Sequence, residues 1–72
     1  MKRGETIRIR RKAEGIKQSE LAARLNIGCS TLCAYELKGG MPEALYYDAD
    51  AAISAILAER ARAREALMSE AR

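Results

Sequence analysis

Apolar residues recur at helical spacing along the chain, and glycine or asparagine interrupts this pattern at short intervals. Residues 5–14 are predicted to form a first helix, which Gly15 ends because glycine readily takes the left-handed conformation that follows many helices. A second helix is predicted over residues 18–25, and Asn26 ends it because its short side chain tolerates a positive φ. The apolar residues of the second helix share one face: Leu21, Ala22 and Leu25.

A third helix is predicted to start near Cys29, after a brief turn, and to end at the Gly39-Gly40 pair. Leu32 and Tyr35 form its inward face. Proline and aromatic residues are scarce in the chain, whereas Ala, Glu, Arg and Leu are frequent, so the predicted fold class is all-α.

A further helix is predicted to begin at the start of the second half, because Pro42 suits the first helical position and an acidic residue follows it. This helix is predicted to be short and to break near Asp48 or Asp50, either of which can cap a long Ala-rich helix from Ala51 onward. The apolar residues of the long helix share one face: Ile53, Ile56 and Leu57. The polar pattern that follows favours a projecting helix, a partner-binding helix or a fraying end. The chain is therefore expected to contain about five helices, the last one extended.

The 72 residues correspond to one small domain whose two halves differ in charge. Residues 1–40 hold nine Lys and Arg against four Glu, whereas residues 41–72 hold four Arg against six acidic groups. A basic half joined to a mildly acidic half indicates that the first half binds a polyanion. Residues 1–40 are accordingly the candidate polyanion-binding half, and residues 41–72 form the C-terminal helical half.

Catalysis is not expected, because the chain has no His, the most frequent general base and metal ligand. No nucleophile motif and no glycine-rich phosphate loop is present. No apolar run is long enough to span a membrane, and the N-terminus lacks the apolar core of a secretion signal. Two cysteines without such a signal are typical of reduced thiols, so a cytoplasmic location is expected.

Residues 15–36 meet the physical requirements of a helix-turn-helix, in which a turn of three or four residues joins two short helices. Ala22 is small where the two helices cross, and Asn26 supplies the positive φ of the turn. Ile27 and Leu32 are apolar side chains that hold the angle between the helices. In this motif the second of the two helices enters the DNA major groove. Residues 1–40 are therefore predicted to be the DNA-binding half, and residues 41–72 to form a dimer.

Two strings in this stretch are informative: GxxQxxLA, which begins at Gly15, and TLxxYE, which begins at Thr31. They resemble the phage repressor and Cro-like helix-turn-helix family, often called the XRE family, over residues 4–42. The resemblance implies a lambda-repressor-like helical bundle and a sequence-specific DNA-binding regulator, expected to be a repressor of phage or mobile-element type. Its recognition helix would cover about residues 28–37.

The resemblance also implies roles for particular side chains. Gln18 matches a glutamine that binds backbone phosphate and braces the recognition helix. Glu36 matches an acidic residue that pairs with an arginine of the first helix, and by its spacing from the motif that arginine is Arg11. The residues expected to touch base edges are Cys29, Ser30 and Ala34.

Phosphate contacts are expected from the basic residues near the motif: Lys17, Arg24 and Lys38. The base-reading positions offer a thiol, a hydroxyl and a methyl group, whereas relatives often use side chains that bond bidentately to a purine. Direct readout is therefore expected to be modest unless Thr31 or Lys38 also reaches a base. Gly28, at the start of the recognition helix, is also among the residues expected to contact DNA. It replaces the usual Ser or Thr cap, which weakens the start of this helix by roughly a few tenths of a kcal/mol.

The first helix departs from the family pattern at two adjacent positions. Arg10 stands where relatives usually have leucine, and Ile9 stands where they have a polar residue. Either this helix is rotated relative to its counterparts, or Ile9 faces a partner molecule.

Cys29 and Cys33 lie four residues apart, so both project from one face of the third helix. Two thiolates do not complete a tetrahedral metal site, and a disulfide within one helical turn would be strained. Two ordinary small residues are the favoured interpretation, with a redox-sensitive DNA-contacting face as the alternative. No metal and no cofactor is predicted.

A homodimer on a palindromic site in double-stranded DNA is expected, because one such motif contacts too few bases for useful specificity. The interface is expected from apolar residues of the second half: Leu45, Tyr46, Ile53, Ile56 and Leu57. Some of these residues must also cover the core, and the sequence does not divide them. Two other functions remain open: a protein-interaction module, such as an antitoxin or adaptor acting through the C-terminal helix, and a nucleoid-like protein that binds DNA without sequence preference.

Overall fold

The computed structural model describes residues 1–70, and within this range it contains four helices and no strands. Helix α1 covers Arg3–Ala13, α2 covers Gln18–Arg24, α3 covers Cys29–Lys38 and α4 covers Glu43–Glu70. The predicted all-α fold class is confirmed, whereas the predicted number of about five helices is wrong.

Left-handed residues follow the first three helices, as the sequence predicts. Gly15 follows α1 with a φ of 65°, Asn26 follows α2 with a φ of 56°, and Gly39 ends α3 with a φ of 79°. The turn between α2 and α3 is closed by the Ile27 N–H, which donates to the carbonyl of Ala22 at 3.1 Å. Local backbone chemistry therefore sets the three places where the chain changes direction.

Helix α4 is continuous, and the predicted break near Asp48 or Asp50 does not occur. An aspartate inside a helix costs only about 0.7 kcal/mol relative to alanine. Tertiary contacts offset this cost, because Ala49 and Ile53 are fully buried on either side of the expected break. In addition, the carboxylate of Asp50 pairs with Arg10 of α1.

All four helices contribute to the core, and its largest fully buried side chains are Ile7, Leu21, Leu32, Ile53 and Ile56. Because Ile53 and Ile56 are 0% and 1% exposed, their predicted place in a dimer interface is wrong. A domain of this size needs the most apolar face of α4 to close its own core. Leu45, Tyr46 and Leu57 are partly buried against the same core.

The arrangement of the helices leaves one side of α3 uncovered. Helices α1 and α2 each pack against both α3 and α4, whereas α3 and α4 make little contact with each other. Helix α4 therefore supports α1 and α2 from one side, and α3 lies across them with its outer surface in solvent.

Helix α1 crosses α3 at close range where Gly4 lies. A Cβ atom on Gly4 would be 2.1 Å from the carbonyl oxygen of Tyr35, far inside van der Waals contact. The Gly4 N–H donates to the carbonyl of Gly39 at 3.2 Å. Glycine is required here by the approach of two backbones.

The two unusual positions of α1 leave Ile9 in solvent, where it is 54% exposed. Arg10 is half-buried and reaches α4, where its Nη2 donates to Ser54 Oγ at 3.1 Å. The inward residues of α1 are Ile7 and Arg11. Helix α1 is thus not turned so as to bury Ile9.

The last part of α4 projects from the body of the molecule. Residues 61–70 are helical and all exposed, and the molecule measures 47 × 23 × 18 Å along its principal axes. The segment is thus a projecting helix as far as Glu70, and its binding of a partner stays a prediction. Although α4 is 28 residues long, neither it nor any other helix among residues 1–70 combines the length and apolar character needed to cross a membrane.

Candidate nucleic-acid interface

A buried ion pair joins α1 to α3. Arg11 Nε lies 2.9 Å from Glu36 Oε2 and Arg11 Nη2 lies 2.8 Å from Oε1, so the contact is bidentate. A third donor, Arg11 Nη1, bonds the carbonyl of Ile16 at 2.8 Å. The side chains of Arg11 and Glu36 are 9% and 2% exposed. The pair that the family resemblance implied is present, and it fixes α3 against α1.

Gln18 extends this network to the first turn of α3. Its Nε2 donates to Glu36 Oε1 at 3.2 Å, and its Oε1 accepts a hydrogen bond from the thiol of Cys29 at 3.6 Å. Gln18 is the first residue of α2, and Cys29 is the first residue of α3. The network therefore holds the beginnings of the two helices together, which is the bracing role expected of Gln18.

The outer face of α3 carries four of the residues predicted to contact DNA: Ser30, Thr31, Ala34 and Lys38. All four are exposed, whereas Leu32 and Glu36 are buried on the opposite side. Gly28 precedes the helix with extended backbone and without a side-chain cap. These predicted residues consequently form one continuous surface.

Leu37 belongs to this outer face but was not among the predicted site residues. It is 72% exposed, although leucine usually lies in the interior. The signal was available in the sequence, because Leu37 lies three residues after Ala34 and seven after Ser30, on the same side of a helix.

The arginines of the basic half are largely engaged with α4. Arg3 pairs with Glu43, Arg10 with Asp50, and Arg24 with Glu59. Arg24 was predicted as a phosphate contact, but its guanidinium reaches the C-terminal half of the chain. Part of the positive charge of the first half is thus neutralised by acidic residues of the second half.

Five basic residues of the first half make no ion pair within residues 1–70: Lys2, Arg8, Lys12, Lys17 and Lys38. Lys17 precedes α2 beside the start of α3, and Lys38 is the last residue of α3. The side chain of Lys2 packs over Gly39, next to Lys38. Exposed positive charge therefore flanks the outer face of α3 at both ends.

The remaining two unpaired cations lie on α1. At 3.6 residues per turn, Arg8 and Lys12 project from the side of α1 opposite to Arg3 and Arg10, which contact α4. They therefore extend the positive charge on the side of the molecule away from α4.

The two cysteines of α3 differ in exposure. Cys29 is exposed and Cys33 is half-buried, and both are free thiols. No cluster of three or more potential metal-ligating side chains occurs in the part of the chain that the structure describes. Cys29 therefore contacts α2 through the hydrogen bond from its thiol to Gln18, although it is also exposed on α3.

Comparison with known proteins adds no constraint on the function of this surface. No family model matches the chain, and neither a curated protein nor a solved structure matches it with significant similarity.

Proposed function

We propose that the protein is a sequence-specific DNA-binding regulator in which α2 and α3 form a helix-turn-helix of the phage repressor and Cro-like type. The observation that carries this proposal is the exposed outer face of α3, whose first two turns carry the small side chains of Ser30, Thr31 and Ala34 and which is flanked by Lys17 and Lys38. A helix with small side chains can approach the floor of the major groove closely, while lysines at its ends reach phosphates on either side. A phage or mobile-element repressor is the regulator of this kind that we favour.

The rigid support behind α3 favours this role. The hydrogen-bonded series Arg11, Glu36, Gln18 and Cys29 ties α3 to both α1 and α2. Base contacts require side chains that are held in place, because a small displacement removes the hydrogen bonds that discriminate bases. A surface used only for non-specific attraction to phosphate needs no such support, which argues against a nucleoid-like binder.

A homodimer on palindromic double-stranded DNA remains part of the proposal. With Ile53 and Ile56 in the core, the surface best suited to a twofold interface is the projecting end of α4, where Leu67 and Met68 are exposed. Sedimentation of the Leu67→Asp, Met68→Asp double variant is expected to show a monomer. The control is Leu37→Asp, which replaces an exposed leucine on α3 instead. This variant is expected to keep the dimer mass of the wild type. A wild-type monomer at micromolar concentration would rule out the dimer.

The direct experiment is selection of binding sites from random DNA, followed by affinity measurements at several salt concentrations. If about 4–6 phosphates are neutralised per dimer, the log–log slope of affinity against salt is expected to be about −4 to −5. Lys38→Ala is expected to weaken binding to all sequences and to reduce the slope by about 1 per subunit. Ser30→Ala is expected to alter the selected sequence instead.

Arg62→Ala is the matched control for Lys38→Ala, because it removes one exposed positive charge from the projecting segment of α4. Its affinity and salt slope are expected to equal those of the wild type. Equal effects of the two substitutions, or a slope near zero, would contradict the placement of the interface on α3.

A second candidate function is a protein-interaction module, such as an antitoxin or adaptor that acts through α4. The observation in its favour is the fully exposed segment 61–70, which the core does not need. If α4 binds another protein, Leu67→Asp is expected to abolish binding of that partner. The mass of the free protein in solution and its affinity for DNA are then expected to equal those of the wild type. Substitutions distinguish the two functions. A DNA-binding regulator loses activity when α3 is changed, whereas a protein-interaction module loses activity when the end of α4 is changed.

A further inference from the structure

The outer face of α3 carries methyl and hydroxyl groups and no planar hydrogen-bonding groups. The sequence of α3, CSTLCAYELK, contains no Asn, Gln or Arg. Those side chains and lysine are the ones that bond bidentately to adenine or guanine in the major groove. The single lysine of α3, Lys38, is its last residue and is assigned above to a phosphate. With Lys38 on a phosphate, the base preference of α3 comes from other groups on the base edges.

Apolar groups occupy the middle of the same face. Leu32 and Glu36 are buried, and at about 100° per residue Ala34 lies almost opposite to both. Leu37 follows on the same side with 72% of its surface exposed. Ser30, one turn before Ala34, is exposed as well. A hydroxyl, a methyl and an isobutyl group thus follow one another along the outer surface.

We infer that this face recognises the C5-methyl groups of thymines, with Leu37 as the main specificity-determining residue; this inference rests on the DNA-binding function proposed above. Thymine displays its methyl group in the major groove, where apolar side chains contact it. Contact with Leu37 removes apolar surface of both groups from water, which favours binding. The Ser30 hydroxyl adds a hydrogen bond to thymine O4 or adenine N6 of a neighbouring A·T pair.

The inference also specifies what the protein does not distinguish. 5-Methylcytosine carries its methyl group at the same ring position as thymine, so a methylated cytosine at the position facing Leu37 supplies the same apolar contact. An unmethylated cytosine or a uracil at that position supplies none. Recognition through the methyl group therefore ranks thymine and 5-methylcytosine above uracil and cytosine.

The test uses the full-length protein and its selected DNA site, in which each thymine is replaced in turn by deoxyuridine. Uracil keeps every hydrogen-bonding group of thymine and lacks only the methyl group. At one or two positions of each half-site, the affinity is expected to fall about fourfold per methyl, the effect of burying a single methylene-sized group. Replacing the same A·T pair by G·C is expected to weaken binding, and 5-methylcytosine in that pair is expected to restore part of the loss.

The variant Leu37→Ala assigns the contact to a residue. It is expected to remove the difference between thymine and uracil at its position while leaving the phosphate-dependent salt slope unchanged. The matched control is Ile9→Ala, because Ile9 is a similarly apolar side chain, 54% exposed, on the side of α1 away from α3. This control is expected to retain the wild-type affinity and the full sensitivity to uracil.

The outcomes separate this inference from the function on which it rests. If the protein binds DNA with a steep salt slope but binds thymine and uracil sites equally, the inference is overturned and the proposed function stands. If Leu37→Ala keeps the sensitivity to uracil, Leu37 is not the residue that reads the methyl group, and the inference is overturned as well. If the protein binds no DNA at all, both fail together.

Discussion

Arg10 and Arg11 are neighbours on α1, yet their ion pairs lie in opposite environments. Arg11 and Glu36 of α3 are 9% and 2% exposed, and Arg11 donates three hydrogen bonds. Arg10 and Asp50 of α4 are 34% and 52% exposed. Because successive helical residues are rotated by about 100°, one arginine enters the core beside α3 and the other lies half-buried at the surface beside α4.

The comparison shows that the place of an ion pair decides its importance. Removing one member of a buried pair leaves the other charged and without water, whereas water replaces the missing member of an exposed pair. The side of α1 that contacts α3 should therefore tolerate little change. The polar contacts between α1 and α4 should tolerate much, since α4 is held chiefly by its buried apolar face.

The largest effect is expected from Glu36→Ala, which leaves the buried guanidinium of Arg11 without its partner. The free energy of unfolding is expected to fall by about 3–5 kcal/mol, measured by urea denaturation followed by circular dichroism. The double variant Arg11→Met, Glu36→Leu removes both charges and is expected to recover part of this loss. A loss below about 1 kcal/mol for Glu36→Ala would mean that water reaches Arg11 and that the pair is not buried in solution.

A smaller loss is expected from Gly4→Ala, which tests the backbone contact on the same side of α1. The added Cβ would lie 2.1 Å from the carbonyl oxygen of Tyr35, so α1 must move away from α3. We expect a loss of about 1–3 kcal/mol in the free energy of unfolding. Gly40→Ala is the control, because a Cβ there meets nothing within 4 Å. Equal stability of the two variants would contradict the close crossing.

Arg60→Ala tests a contact of α4 that the sequence did not indicate. Arg60 donates to the carbonyls of Glu14 and Gly15 at 3.0 and 3.4 Å and pairs with Glu20 at 3.0 Å. Its removal is expected to cost about 1 kcal/mol, because the carbonyls that follow α1 are then satisfied by water. Arg62→Ala removes an exposed arginine two residues further along α4 and is expected to leave the melting temperature unchanged. Parallel thermal melts of the two variants compare these effects.

The smallest effect is expected from Asp50→Ala, which breaks the exposed pair with Arg10. The loss is expected to be below about 1 kcal/mol and to shrink further at 1 M salt, where exposed charges are screened. Urea denaturation at low and high salt measures both quantities. If Asp50→Ala proved as costly as Glu36→Ala, the contrast between the two sides of α1 would be wrong.

The helices of the candidate site could be predicted where a single residue determines where a helix ends. Gly15 and Asn26 ended the first two helices as expected, because few residues adopt a positive φ without strain. The pairing of Arg11 with Glu36 followed from a family resemblance in the motif. Leu37 was missed although helical spacing places it on the outer face, because a leucine is ordinarily assigned to a core.

The sequence is least informative about residues whose environment depends on distant parts of the chain. The phosphate contact of Arg24 stays a prediction, and its ion pair with Glu59 of α4 was not predicted. Ile53 and Ile56 form an apolar face that suits a dimer interface or a core equally well. The choice between these alternatives is made by what packs against the face, and periodicity contains no information about that.

The sequence by itself therefore determined the all-α class, the three turns and the polarity of each half, since these depend on propensities and on charge counts over short stretches. The tertiary structure decided that α4 runs through Asp48 and Asp50 as one helix, because burial of its apolar face outweighs a small local preference. It also decided which cations are paired with α4 and which remain exposed beside α3. Ion pairing between residues some 35 to 40 positions apart depends on how the helices pack in three dimensions.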